Sequence, residues 1–332
     1  MGNVPPGSGI RVPPEEMRRL VQALFAKAGM SPADSMTMAE LLVHTDLRGV
    51  VSHGTQQVPG YCRKLRDGEV NPTPQVRVTR QTTTTRTFDG DGGMGHLPCK
   101  QATEWAVECA LEHGTGTVTT RNHFHFGSAG KYTHIAAARG CIGIAFSSHR
   151  YHPQNFVRGV LGASPISIAL PAGDQPPVIL DMASSMLDYD EELFARMPFA
   201  FFKELGIAAI PYGLGGVLAG IYKPEFSEPA SKWISNQGSF IAAFSIEAFM
   251  DLAEYQAEMD RWVSEVRALE PFPGQEQAEL PGGVEWQRTR EYAESGIPVG
   301  DSHRASLEEL ASELEVETRF EAYDHTRFEG GS

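Results

Sequence analysis

Apolar residues Met17, Leu20, Val21, Leu24 and Phe25 recur at helical spacing between Pro13-Pro14 and Gly29, and they predict a first helix. Ser31 as N-cap with Pro32 at the first helical position opens a second, predicted to end near Arg48-Gly49. From Val76 to Leu180 the pattern alternates. Short β-branched runs at 76–78, 83–88, 116–121, 141–147, 166–170 and 178–180 predict strands, and 99–113 and 128–139 predict helices closed by Gly114 and Gly140. This is an α/β core whose strand directions the order leaves open. A late strand, 240–244, precedes a long amphipathic helix over 246–269, and 271–283 reads as a surface loop. Short helices follow at 284–295 and 307–314, the latter opened by a Ser306-x-x-Glu309 capping box. The expected division is an N-terminal helical subdomain over 12–70 joined by 284–320, an α/β domain over 71–283, and a frayed tail over 321–332.

Leu205 to Tyr222 is uncharged and contains Gly216-x-x-x-Gly220. It also holds Pro211 and five glycines, which fits a buried helix with close backbone contacts better than a membrane span. Net charge is −14, from 42 acidic and 28 basic residues, with no basic run. Nucleic acid and anionic membrane both need a basic footprint, so neither is expected as a partner. Cys62, Cys99, Cys109 and Cys141 form no C-x-x-C pair and read as buried reduced thiols of a cytoplasmic protein. The N-terminus shows no secretory signal.

Two glycine-flanked histidine segments carry the candidate chemistry. The first is Asp46-Leu-Arg48-Gly-Val-Val-Ser52-His53-Gly54, running on to Tyr61; the second is Asn122-His-Phe-His125-Phe-Gly127-Ser-Ala-Gly130-Lys131-Tyr132. Histidine is the side chain best suited to move a proton near neutral pH, and glycine lets backbone approach a ligand. Gly90-Asp-Gly92-Gly-Met-Gly95 matches G-x-G-x-x-G, but a dinucleotide fingerprint needs a helix at once and an acid at the end of the next strand. Pro98 is expected to delay the helix, and Glu108 and Glu112 lie inside it, so a glycine-rich turn is the reading. His123, His125, His149 and His152 show no metal-ligand spacing, and no metal is expected. No G-x-S-x-G nucleophile elbow is present.

Taken together, D-x-R-G-x-x-S-H-G and H-F-G-x-A-G resemble the malate/L-lactate dehydrogenase family that lacks a Rossmann fold. That family includes ureidoglycolate and sulfolactate dehydrogenases, diketogulonate reductase and piperideine-2-carboxylate reductase. The resemblance runs from about Pro13 to Val299 and is strongest up to Ser185. It implies a non-Rossmann mixed sheet flanked by helices, a homodimer, and hydride transfer between NAD or NADP and a small 2-hydroxy acid or related compound. His125 is the implied proton shuttle and His53 the second choice. Ser52, Gln57, Tyr61 and Arg48 fall on the substrate side. The cofactor side is Ser147, then Asp181, Met182, Ala183 and Ser184 (the family's D-M-A-[TS]-S), and Lys203 of Phe202-Lys203-Glu204-Leu205-Gly206, which resembles Y-K-G-x-G.

Several positions depart from the family pattern. Gln57 replaces an arginine whose charged fork grips a carboxylate, and a neutral amide cannot reproduce that fork. A grip on a carboxylate would then need another cation, such as Arg48 or Lys131. G-T-N-P is Gly162-Ala-Ser164-Pro, the aspartate before S-H-G is Val51, and P-G-E is Pro281-Gly282-Gly283. Only some twenty residues separate Asp181 from Phe202, where the family has a long segment, and they include the acidic run Asp188 to Glu192. Acid facing a pyrophosphate would repel it. The alternative to an active dehydrogenase is therefore a non-catalytic or repurposed scaffold.

Overall fold

The computed structural model describes residues 4–150, 164–226 and 232–329. The chain forms two compact units, Met1–Thr73 with Val284–Ser332, and Pro74–Gly283.

In the discontinuous unit, α1 (Pro14–Lys27) and α2 (Pro32–Leu47) form a hairpin, followed by α3 (Val58–Arg66). Ser31 caps α2 as its sequence implies, its Oγ accepting from Asp34 N at 3.1 Å. Met17, Leu20, Val21, Leu24 and Phe25 are fully buried. The chain enters through β1 (Ser8–Val12) and returns through α9 (Gly283–Ser295), β9 (Ile297–Gly300), α10 (Asp301–Glu313) and β10 (Phe328–Glu329). These strands form an antiparallel sheet in the order β10-β1-β9. Helix α10 opens at Asp301, so Ser306 lies inside it and the expected capping box is not used. The expected fraying is also corrected as far as Glu329. Phe320 is buried, Phe320–Thr326 is a 3-10 turn, and β10 pairs with β1. Thr326 Oγ1 accepts from Arg11 N at 2.8 Å and donates to Arg11 O at 3.1 Å, which ties the tail down.

The continuous unit is built on a seven-stranded mixed sheet. Its strands are β2 (Arg77–Gln81), β3 (Thr85–Gly93), β4 (Thr115–His123), β5 (Cys141–His149), β6 (Pro165–Leu170), β7 (Val178–Ala183) and β8 (Gln237–Ser245), in the order β2-β3-β4-β8-β5-β6-β7. Only β3 and β4 are parallel, and α4 (His96–His113) crosses between them. The α4 residues Cys99, Ala102, Ala106 and Ala110 pack with Val118 of β4 and Ile241 of β8. Phe126, Ala129, Tyr132 and Ala136, on and before α5 (Gly130–Ala137), join the same core. All four cysteines are free and buried.

Helix α4 begins directly after Gly95, three residues earlier than expected, with Pro98 in its first turn where no N–H is needed. The strand–turn–helix–strand order is thus the one a dinucleotide fingerprint requires, but the turn is closed by protein. A Cβ on Gly92 would lie 1.8 Å from Trp233 O, and one on Gly95 2.4 Å from Phe124 O. The glycines admit the chain's own backbone.

After β7 come α6 (Glu191–Arg196) and α7 (Pro198–Pro211), then a π-helical turn, Tyr212–Leu218. Pro211 has no N–H to continue the α-helical ladder, and widening to π geometry accommodates that loss. The expectation of a buried helix is corrected here. Pro198–Leu218 is long and apolar enough to cross a membrane, yet only a third of it is buried, and Phe199, Phe202, Ile210 and Leu218 face outward. The acidic run is absorbed locally. Asp190 caps α6, accepting from Leu193 N at 2.8 Å, and Glu191 and Glu192 stand in that helix's first turn.

The long helix expected over 246–269 is interrupted. A 3-10 turn, Ile246–Ala248, precedes α8 (Leu252–Arg267), which Asp251 caps. On α8, the Asp260 carboxylate accepts from the backbone N–H of Gly173 (2.9 Å), Asp174 (2.8 Å) and Gln175 (3.0 Å) in the β6–β7 turn. Charged acceptors make the stronger hydrogen bonds. Asp260→Ala is expected to lower unfolding free energy by roughly 2–3 kcal/mol in denaturant titration, with Asp260→Asn intermediate.

Candidate active site

The substrate-side candidates and His53 all lie in the discontinuous unit. Ser52 and His53 form a 3-10 turn after α2, with Ser52 Oγ 2.9 Å from His53 Nδ1. Gln57 is folded inward: its Nε2 donates to Ser52 O at 2.7 Å, so the amide braces the histidine turn. Arg48 is buried at the end of α2. Tyr61 is buried in α3, and desolvation pushes its phenol well above the ordinary value.

Beneath this turn lies a polar anchor. Asp46, 1% exposed, accepts from Thr55 N at 3.1 Å and from the Thr55 hydroxyl. Thr55 Oγ1 is also 3.2 Å from His303 Nε2. Burial pushes His303 down to about 4, so the ring is neutral at physiological pH.

His125 lies in the continuous unit, half-buried, on the segment leaving β4. The backbone around it is held at consecutive points. Phe124 N donates to Gly93 O at 2.8 Å, and Gly95 N donates to His125 O at 3.2 Å. Asn122 takes a left-handed φ of 54°, fixed by its side chain, which donates to Asp89 Oδ1 and accepts from Ser235 N, both at 3.0 Å. His123 is fully buried and pushed down to about 4 by desolvation. Its Nδ1 is 2.8 Å from Phe124 O, so Nδ1 carries the proton and donates. Nε2 then accepts from Thr120 Oγ1 at 2.7 Å, and Thr120 Oγ1 accepts from Ser239 Oγ at 2.5 Å. Cys99 Sγ, 3.3 Å from Ser239 Oγ, closes the group.

Past His125, Gly127 has φ +80°, and a Cβ there would sit 2.7 Å from Lys131 Nζ and 2.8 Å from His96 Nε2. Glycine therefore lets the buried Lys131 and His96 side chains approach the loop. The His96 and His125 rings meet edge to face with centroids 6.5 Å apart.

The cofactor-side candidates lie in the same unit as His125. Asp181, Met182 and Ala183 close β7, with Ser184 buried just after it. Ser147, near the end of β5, donates through Oγ to Gly238 O at 3.0 Å. Lys203 is exposed on α7, its Nζ 5.8 Å from the Phe199 ring centroid. Next to it, Glu204 is wholly buried. One oxygen accepts from Met186 N (2.6 Å) and Leu187 N (3.1 Å), and the other has no partner. An exposed ammonium suits phosphate and an unused carboxylate oxygen suits a hydroxyl, so this donor set fits a nicotinamide dinucleotide. Among the described residues, no group of three histidine, cysteine, aspartate or glutamate side chains could hold a metal. Gly162, Ala163 and His152 lie outside the described residues.

The motifs assign no role to Asp46 or Glu204 and do not reach Thr55, His303, Thr120 or Ser239. For Glu204 a signal existed: a lone acid in an apolar stretch. For His303 there was none, since its partner is 248 residues away.

A mixed sheet with one parallel pair and a glycine turn filled by protein make an α/β fold without a Rossmann unit. The chain belongs to the malate/L-lactate dehydrogenase family, whose model matches residues 12–196 and 190–308. The two blocks meet at α6, where the segment between the β7 end and Lys203 is short. The chain is 28% identical to malate dehydrogenase from Pyrococcus horikoshii, over 93% of this chain and 96% of that one. It is also 28% identical to L-sulfolactate dehydrogenase from Methanocaldococcus jannaschii, over 91% and 96%. With ureidoglycolate dehydrogenase (NAD(+)) from Escherichia coli O157:H7 it shares 24%, over 88% and 93%. The solved structure of the Pyrococcus horikoshii malate dehydrogenase superposes with a TM-score of 0.84, covering 96% of this chain and 99% of that one, at 28% identity.

The two neutral anchors make the fold acid-sensitive in a defined window. Unfolded, a histidine takes its proton near 6.5; His123 and His303 resist until about 4. The unfolded state therefore binds more protons between these values. Stability is fully present above 6.5, falls as pH drops toward 4, and loses on the order of 3 kcal/mol per ring. Urea midpoints should decline between pH 6.5 and 5, before most carboxylates titrate. His123→Asn should make that decline shallower, and an unchanged slope would show that the His123 ring is not buried neutral.

Proposed function

We propose that the chain is an NAD(P)-dependent dehydrogenase moving hydride to or from the hydroxyl-bearing carbon of a small 2-hydroxy acid. The observation that carries this reading is the placement of His125, half-buried on a backbone held at Phe124 N and His125 O and backed by a neutral His123. A bound nicotinamide supplies or accepts the hydride. In the reducing direction, His125 gives its proton to the carbonyl oxygen as negative charge develops there, and in the oxidising direction it takes the hydroxyl proton back. His53, set by Ser52, is the second candidate for this role. Ser52 and Tyr61 hold substrate oxygens, with Arg48 and Gln57 beside them. Ser147, Asp181 to Ser184 and Lys203 hold the cofactor. Malate, sulfolactate and ureidoglycolate, named for the relatives, are all small hydroxy acids. The protein is expected to work in the cytoplasm.

NADH should raise the melting temperature, because a ligand that binds only the native state stabilises it. His125→Ala should then lower turnover of a 2-hydroxy acid about a hundredfold or more while leaving that thermal shift in place. Absence of any shift with either NADH or NADPH at millimolar concentration would return the chain to the scaffold reading.

We infer assembly from the surface of α7 and the π-helical turn after it. Phe199, Phe202, Ile210, Val217 and Leu218 are between 47% and 65% exposed on one apolar segment. Monomers seldom leave such a patch in water. A homodimer burying it is expected in sedimentation at micromolar concentration. Phe202→Glu should shift the population toward monomer, and a monomeric wild type would refute the assignment.

A further inference from the structure

Glu204 stands where the family pattern quoted above has a glycine, in the helix that also carries Lys203. Its carboxylate is 0% exposed. Among the described residues, no lysine, arginine or histidine forms an ion pair with it. One oxygen is fully used, accepting from Met186 N at 2.6 Å and Leu187 N at 3.1 Å. The other is buried and has no hydrogen-bond partner. Burying a carboxylate costs several kcal/mol unless its lone pairs are satisfied, and two backbone donors satisfy only half of them. A buried polar atom left orphaned in a native fold calls for a partner that arrives from outside.

Position indicates which partner. Met186 and Leu187 directly follow the Asp181 to Ser185 strand end, and α7 packs against β5, the strand that carries Ser147. The turn that Glu204 holds is itself exposed, Met186 at 54%. A carboxylate oxygen is an acceptor only, so the incoming group must bring an O–H or N–H and must not be a phosphate. Lys203, one residue away and exposed, has the opposite preference.

We propose that Glu204 is a cofactor-binding and cofactor-selecting residue. Its free oxygen accepts a hydrogen bond from the 2′-hydroxyl of the ribose that bears the extra phosphate in NADPH. This rests on the cofactor placement in the proposed function. It makes the chain selective for NAD: a 2′-phosphate against a buried carboxylate is repelled, whereas a hydroxyl is bound.

Glu204→Gln separates the carboxylate's two roles. The amide oxygen can keep accepting from Met186 and Leu187, while the NH₂ replaces the free acceptor by a donor. Titrating NADH and NADPH into the full-length protein by calorimetry, with no substrate present, should show wild type preferring NADH at least tenfold. Glu204→Gln should weaken NADH at least tenfold and leave NADPH unchanged or tighter, collapsing the preference. Its circular dichroism and cooperative unfolding should match wild type. Should Glu204→Gln misfold, Glu204→Asp, which keeps the charge but withdraws it by a methylene, should still lose NADH affinity more than NADPH affinity. A wild type that binds NADPH as well as NADH, or a Glu204→Gln protein with unchanged selectivity, would overturn the assignment. Binding of neither cofactor to wild type would instead remove the proposed function itself.

Discussion

The chain of neutral hydrogen bonds from Ser239 through Thr120 and His123 to the Phe124 carbonyl is what the candidate site depends on. It crosses from β8 to β4 to the segment leaving the sheet, and so joins the central strands to the backbone that presents His125. A charged His123 would present a donor at both nitrogens, where Thr120 Oγ1 now donates to Nε2. Burial prevents that by holding the ring near 4. Fully satisfied buried networks rigidify, and partly satisfied ones are costly. That cost is why Asn122 can be held at a φ of 54° without glycine: its side chain is bonded on both sides.

The discontinuous unit uses the same solution with different residues. Asp46 is the buried carboxyl group, accepting from the Thr55 amide and hydroxyl, and His303 is the neutral ring that completes the group. His53 and His125 are thus each carried by a segment whose anchor includes another, neutral histidine. The sequence alone shows histidines of one kind. Burial sets His123 and His303 apart as neutral struts, because desolvation acts on the charged form only.

The α1–α2 hairpin was readable because its signals are local: Pro14, Ser31-Pro32, and apolar residues at helical spacing. The two histidine motifs and the D-M-A-S-S strand end were legible as strings for the same reason. Strand β1 was not, since five residues with partners near position 300 leave no local trace. The capping box at Ser306 misled because the helix start was decided at Asp301, by β9 and its turn. The Leu205 to Tyr222 stretch reads as apolar, but apolarity does not say which surface covers it, and most of it stands outside the core of its own unit. His303 was illegible as a site residue because it acquires meaning only through a partner distant in sequence.

The placement of β1 bears on how the protein emerges from the ribosome. Gly9 pairs with Gly300 on one side and Phe328 on the other, so the first strand is the middle of a sheet whose edges are translated last. The continuous unit is complete once Gly283 has been made and is free to fold by then. Strand β1 must wait, unpaired, until residues 297–329 have been made. Contacts this remote in sequence are slow to form, and an unpaired strand is open to the wrong neighbour. Synthesis therefore imposes an order the mature structure conceals: the half that begins the chain finishes second, and truncation by a few tens of residues at the far end would deprive the beginning of its partners.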